Sequence, residues 1–280
     1  MASQQPLPAK ISKHEFDDLL AQYQPLVESV SAGKPAKDGQ KTLVELDRYR
    51  YVEAPKCFRI DAPKRVMEHD DVKALVEWKL RHGKFRPSLM KLVLSNDSET
   101  VNGVIEDALK AYRDDTSDPS AAIAILSSLK GIGPATASLL LSVHDPDRVL
   151  FFSDEAFYWL CCGGKKDPIK YNKKEYAALG ESAQQLMKRL GVRALDLEKV
   201  AYVAIRQAPA AGDSGQKSEE TGRPEVRRAR GGSSKKPSAA KEETPAKEEI
   251  PEKRKRSADE DTKVAAVPSR RSKRSRPELI

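Results

Sequence analysis

Helical periodicity with almost no strand alternation is the feature that most constrains the fold of this sequence. Between Ser12 and Gln207, apolar residues recur at intervals of three and four positions, as on one face of an α-helix. In "SETVNGVIEDALKAY", for example, they form one stripe from Val101 to Tyr112. The sequence therefore predicts an all-α, multi-helix domain over residues 12–207, held together by packing of helix on helix.

The composition changes abruptly after Gln207. Residues 208–280 contain no aromatic side chain and few branched apolar ones, so they cannot bury enough surface to offset the entropy of ordering. They also carry 19 Lys/Arg against 13 Asp/Glu, which is six of the eight excess positive charges of the chain. We predict a disordered basic tail over residues 208–280 and a flexible N-terminus over residues 1–11.

Two dense basic clusters lie within this tail. Such clusters in a disordered segment are typical of nuclear localisation, and non-specific contact with nucleic acid is the competing interpretation. The expected location is the nucleus, and the expected partner of the clusters is a nuclear import receptor. The residues concerned are Lys253, Arg254, Lys255, Arg256, Arg270, Arg271, Lys273 and Arg274.

The cysteines and histidines indicate neither a disulfide framework nor a metal site. Of the three cysteines, Cys161 and Cys162 are adjacent, and the four histidines are scattered along the chain. The N-terminus lacks the apolar core of a signal peptide, and no stretch approaches membrane-spanning length. We therefore expect an intracellular protein with no metal, no cofactor and no membrane partner.

Two glycines enclose one apolar residue in "LKGIGPATASLLL", residues 129–141. This pattern is typical of a helix–hairpin–helix, in which glycines permit a tight turn and the following helix N-terminus faces a phosphate. The alternative is an ordinary corner between helices, because Gly-x-Gly alone is a weak signal. The residues expected to contact the DNA backbone are Lys130, Gly131, Gly133, Ala135 and Thr136, with Lys165 and Lys166 from a later basic loop.

An acidic pair interrupts the apolar run "VLFFSDEAFYWL", residues 149–160, that follows this hairpin. Asp154 lies 19 positions after Ala135, and the two runs together resemble the helix–hairpin–helix–GPD superfamily of DNA glycosylases. That superfamily includes endonuclease III and the 8-oxoguanine and alkylpurine glycosylases. The resemblance covers roughly residues 85–160, so we expect a divergent member of this fold.

The resemblance implies a role for Asp154 in breaking an N-glycosidic bond. The carboxylate would stabilise positive charge on the deoxyribose or orient the attacking water, with the target base flipped out of the stack. Phe152, Phe157 and Trp159 are the expected walls of a base pocket, although an aromatic run is also typical of a core. From the residues alone, the alternative is that Asp154 merely caps the helix that it begins.

Two departures from the family narrow the expected activity. Ala135 occupies the position of the lyase lysine of bifunctional members, so Schiff-base strand cleavage by that residue is ruled out. The segment from Asn96 to Gly131 is shorter than in the family. We expect a nuclear DNA-binding protein, with monofunctional base excision as its activity. The alternatives are a chromatin or repair scaffold that kept the hairpin, and a helical protein-interaction module.

Overall fold

The computed structural model describes residues 6–207, and this part of the chain is all-helical, which confirms the predicted fold class. Besides a π-helical turn at Tyr49–Glu53, twelve α-helices follow one another. They are α1 (Lys13–Ala21), α2 (Tyr23–Gly33), α3 (Leu43–Arg48), α4 (Ala54–Phe58), α5 (His69–His82), α6 (Leu89–Leu94), α7 (Ser98–Asp114), α8 (Ser120–Leu126), α9 (Pro134–His144), α10 (Asp154–Cys161), α11 (Lys173–Leu190) and α12 (Ala194–Arg206).

Helices α9 and α12 form the interior of the domain. Ten of the eleven residues of α9 and ten of the thirteen of α12 are buried, so both helices are covered over most of their surface. A helix that is covered all round belongs at the centre of a helical protein. Helix α12 packs against α1, α2, α10 and α11, and α9 packs against α4, α5 and α8. The other helices thus pack around these two buried ones.

A buried ion pair connects the first part of the chain to α12. The guanidinium of Arg50 lies 3.2 Å from a carboxylate oxygen of Glu198, and the hydroxyl of Tyr51 donates a hydrogen bond of 2.6 Å to its other oxygen. Arg50 also donates a hydrogen bond to Ser142 of α9. Because a buried charge is costly when it loses its partner, this network fastens the π-helical turn to both α9 and α12.

Several helix boundaries follow the local signals in the sequence. Ser12 and Asn172 each begin a helix with a reciprocal capping box, and α5 ends at Gly83. The expectation of a flexible segment up to residue 11 needs correction, because Ile11 is buried and the carbonyl of Pro6 accepts a hydrogen bond from the Trp159 indole. The ordered domain therefore begins before Ser12.

The predicted tail and its localisation clusters, Lys253–Arg256 and Arg270–Arg274, lie outside the described residues. None of the helices in residues 6–207 is both long and apolar enough to cross a membrane.

Candidate functional site

A cleft of about 760 Å³ opens where the ends of several helices meet. Its walls come from the C-terminal end of α5 and the loop after it, the turn before α9, the start of α10, and the loop between α10 and α11. The cleft brings Asp154 together with Gly131 and Gly133, which the sequence singled out separately.

A second groove of about 940 Å³ lies between the loop after α2 and the outer face of α5. Acidic and basic side chains are mixed along it, among them Asp70, Lys73, Glu77 and Arg81. It contains none of the residues expected to act on DNA. We therefore consider the smaller cleft, with its converging polar groups, to be the candidate site.

The turn before α9, residues 129–133, will be called the glycine turn. Gly131 has a φ of 78°, and a Cβ built on it would lie 2.9 Å from the Cβ of Leu92 in α6. Only glycine satisfies both the left-handed backbone and this close packing. The side chain of Asn96 clamps the turn from the other side, because it accepts a hydrogen bond from the Lys130 amide and donates one to the Lys130 carbonyl.

The N-terminus of α9 faces the cleft without a protein cap. Gly133 occupies the N-cap position, is exposed, and has no heavy atom within 4 Å of where a Cβ would be. No side chain accepts a hydrogen bond from this end of the helix, and within residues 6–207 the amides of Gly133 and Ala135 donate none. Uncapped amides at a helix N-terminus favour an anion, which receives both hydrogen bonds and the positive end of the helix dipole.

Asp154 is the first residue of α10 and does not cap it. The N-cap is Ser153, whose hydroxyl accepts a hydrogen bond of 3.0 Å from the Ala156 amide. The alternative in which Asp154 is the helix cap is therefore wrong. The segment before α10 is attached to α9, because the Phe152 amide donates a hydrogen bond to the Ser138 hydroxyl. This contact holds the half-exposed Asp154 carboxylate at the cleft beside the start of α9.

Tyr171 orients the Asp154 carboxylate from the loop before α11. Its hydroxyl donates a hydrogen bond of 2.6 Å to Oδ1 of Asp154, and burial, together with this neighbouring carboxylate, raises the pKa of Tyr171. The backbone of Tyr171 has a φ of 53°, the only positive value for a non-glycine residue in the described part of the chain. A bulky residue in this conformation is costly, and such strain is concentrated at functional sites.

Lys79 lies in the wall of the same cleft as Asp154. It projects from α5, and its ammonium donates a hydrogen bond of 2.7 Å to the hydroxyl of Thr136 in α9. The pKa of Lys79 is lowered to about 8, chiefly by burial and also by the positive charge of Arg86, whereas Asp154 opposes the shift. A partly buried lysine that binds a hydroxyl instead of a carboxylate is unusual enough to mark a functional group.

The remaining charged groups make the cleft basic. Lys84, Arg86 and Lys166 are exposed on its rim, whereas Arg206 is already paired with Glu155 at 3.0 Å. Within residues 6–207 these three rim cations have no acidic partner, and three such cations around one partly exposed carboxylate favour a polyanionic ligand. Within residues 6–207, no group of three His, Cys, Asp or Glu side chains is arranged to hold a metal ion.

The structure brings together only part of the predicted site. Phe152 lines the cleft, but Phe157 packs against the core and Trp159 is 1% exposed, and neither borders the cleft. The prediction that Phe157 and Trp159 form a base pocket is therefore corrected. Lys166 lines the cleft, whereas Lys165 and Lys130 do not.

The residues expected to contact the DNA backbone differ in whether they border the cleft. Gly131 and Gly133 border the cleft, and so do Ala135 and Thr136, of which Thr136 is buried beneath Lys79. Lys130 is exposed, but its amide is occupied by Asn96 and is unavailable to a phosphate. Contact with a phosphate backbone is therefore open to the amides of Gly133 and Ala135 rather than to the whole turn.

Two polar residues of the cleft, Lys79 and Tyr171, were missed by the sequence reasoning. Lys79 follows Leu75 by four positions and precedes His82 by three, so it falls on the buried stripe of α5. A lysine on the buried side of a helix is uncommon, and this position could have indicated a functional residue from the sequence alone. Tyr171 gave no signal, because its backbone conformation depends on contacts with residues distant in sequence.

Comparison with known proteins does not identify this chain: no family model matches it, and neither a curated protein nor a solved structure shows significant similarity to it.

Proposed function

We propose that this protein binds DNA through a helix–hairpin–helix formed by α8, the glycine turn and α9, and that it hydrolyses an N-glycosidic bond in the neighbouring cleft. The single observation that carries the proposal is that Asp154 and the uncapped start of α9 border one basic cleft. The amides of Gly133 and Ala135 would bind a DNA phosphate, and the rim cations would follow the backbone. Such contacts hold the strand without reading its sequence.

The proposed chemistry requires a carboxylate next to the sugar of an extruded nucleotide. Asp154 is half-exposed in the cleft, and Tyr171 holds it by one oxygen, so its charge faces a fixed direction. As the bond to the base breaks, positive charge develops on the deoxyribose, and a preoriented carboxylate stabilises it. The buried Phe152 supplies an apolar wall beside this carboxylate.

The second candidate function is that of a scaffold that binds DNA without releasing a base from it. The observation that favours it is the hydrogen bond from Tyr171, because a carboxylate held in this way is also stable as a structural group. The third alternative, a protein-interaction module, requires a covered hairpin. Gly133 is exposed, which disfavours that alternative.

A base-release assay separates the enzyme from the scaffold. The full-length protein would be incubated with duplexes that each contain one damaged or non-standard base, covering deaminated, alkylated and oxidised bases. Heating in alkali would then reveal abasic sites as strand breaks. We expect release of at least one base class. Tight binding to all duplexes without release from any would favour the scaffold and contradict the enzymatic proposal.

A further inference from the structure

The amino group of Lys79 lies in the cleft, and the proposed hydrolysis does not use it. It borders the same cleft as Asp154, and within residues 6–207 no carboxylate lies within ion-pair distance of it. Its only hydrogen-bond partner in that part of the chain is the Thr136 hydroxyl, at 2.7 Å. Thr136 itself is 2% exposed and fixed in α9, so it holds the amine in one place. A lysine that served only to pair charge would have an acidic partner.

The surroundings of Lys79 favour the uncharged amine. The groups that face it are Arg86 from the loop after α5, Thr136 from α9 and Asp154 from α10. With a pKa of about 8, roughly a fifth of the amine is uncharged at pH 7.4, against about one part in a thousand for an ordinary lysine. Only the uncharged amine is a nucleophile, so this cleft holds an activated one.

The product of the proposed hydrolysis is a substrate for such an amine. When the N-glycosidic bond is hydrolysed, the deoxyribose keeps a hydroxyl at C1′ and opens reversibly to an aldehyde. We propose that Lys79 captures this C1′ aldehyde as a covalent imine. The nitrogen lone pair forms the bond to C1′, the nitrogen loses its two protons, and the carbonyl oxygen leaves as water. The inference rests on the proposed function for the placement of an abasic deoxyribose in this cleft.

The position of Lys79 makes this assignment specific. The start of α9 has no amine, because position 135 is alanine. The Lys79 side chain reaches this region from α5, where it donates a hydrogen bond to the adjacent Thr136. Lys84 and Lys166 also border the cleft, but both are exposed on its rim, whereas Lys79 is partly buried and held by the Thr136 hydroxyl. Lys79 is thus the cleft lysine whose environment suits attack on a carbonyl carbon.

Borohydride trapping on a preformed abasic site tests the inference. Borohydride reduces an imine to a stable amine, so the full-length protein becomes covalently attached to the DNA, and peptide mass spectrometry locates the attachment. We expect it at Lys79. The substitution Lys79→Arg keeps the charge and the donor to Thr136 but cannot form the imine, and it should lower the trapped yield at least tenfold. Lys79→Gln is the second variant, for the case in which arginine disturbs the fold.

Lys73→Ala is the matched control, because Lys73 is exposed on the same helix and outside this cleft. This variant should trap as the wild type does. The trapping rate should rise with pH and level off above about 8, as the Lys79 amine loses its proton. Equal trapping by Lys79→Arg and wild type, or attachment only at other amines, would overturn the inference.

The preformed abasic site keeps this test separate from that of the proposed function. Trapping at Lys79 without base release from any duplex would support the amine and contradict the glycosylase. Base release without trapping at Lys79 would support the glycosylase and contradict the inference. The two proposals therefore succeed or fail on different measurements.

Discussion

The hydroxyl of Tyr171 donates a hydrogen bond of 2.6 Å to Oδ1 of Asp154, and it does so from a left-handed backbone conformation. Within residues 6–207, the other carboxylate oxygen of Asp154 accepts no hydrogen bond. The strained tyrosine therefore fixes the carboxylate while leaving one oxygen available to a ligand in the cleft. This arrangement is what an electrostatic role for Asp154 requires.

Removal of this hydrogen bond should slow base release without weakening DNA binding. A hydrogen bond to a charged group contributes about 1.5–3 kcal/mol, so we expect Tyr171→Phe to lower the single-turnover rate by about 10- to 100-fold. The control is Tyr158→Phe, which changes a cleft tyrosine whose hydroxyl donates no hydrogen bond to Asp154. If both variants release base at the wild-type rate, Tyr171 has no part in the reaction.

The uncapped end of α9 predicts opposite effects of one substitution on stability and on DNA affinity. In Gly133→Asp, the new side chain meets open space and occupies a good N-cap position, so the free energy of unfolding should stay the same or rise by a few tenths of a kcal/mol. The same carboxylate would occupy the amides and repel phosphate. We expect the dissociation constant for duplex DNA to rise about tenfold.

Fluorescence anisotropy with the full-length chain would measure this change, since the tail is common to all variants. Gly180→Asp adds the same charge on α11, where a Cβ also meets open space, and should leave the affinity unchanged. Equal DNA affinity of Gly133→Asp and wild type would exclude α9 as the phosphate site.

The substitution Gly131→Ala should destabilise the fold by about 2 kcal/mol, because it combines a positive φ with a 2.9 Å contact to Leu92.

Ser153 should contribute to the stability of the fold, whereas the neighbouring Asp154 should contribute little to it. Because the Ser153 hydroxyl caps α10, Ser153→Ala should lower the free energy of unfolding by about 1 kcal/mol. Asp154→Asn removes only a charge near the helix dipole and should cost a few tenths of a kcal/mol. Urea denaturation measures both values. A larger loss for Asp154→Asn than for Ser153→Ala would restore the interpretation of Asp154 as a structural residue.

Buried histidine should make the domain sensitive to acid. His144 donates a hydrogen bond to the Phe58 carbonyl, and burial lowers its pKa to about 4. The unfolded chain binds a proton at about pH 6.5 and the folded one does not, so the free energy of unfolding falls as the pH drops from about 6.5 to 4. Over that window, the free energy of unfolding of His144→Gln should fall less steeply with decreasing pH than that of the wild type. The difference in slope corresponds to the uptake of up to one proton on unfolding. Parallel curves would show that His144 does not titrate as described.

The sequence predicts the helices of this fold better than it predicts the site. Amphipathic stripes and capping boxes are local, and those at Ser12 and Asn172 begin helices as expected. Trp159 could not be placed, because α10 presents aromatic residues on more than one side and only tertiary packing decides which side is buried. Tyr171 contacts Asp154, which is 17 positions away, so no local pattern indicates this hydrogen bond.

Asp154 is proposed to act on a nucleotide held at the start of α9, and Asp154→Asn removes its charge with little change in shape. Wild type and Asp154→Asn would be compared in single-turnover release of the most readily excised base, with folding and DNA affinity checked in parallel. We predict normal folding, similar affinity and a rate lower by 100-fold or more for Asp154→Asn, as expected when a transition-state charge loses its partner. Equal rates of base release by the two proteins would contradict the account.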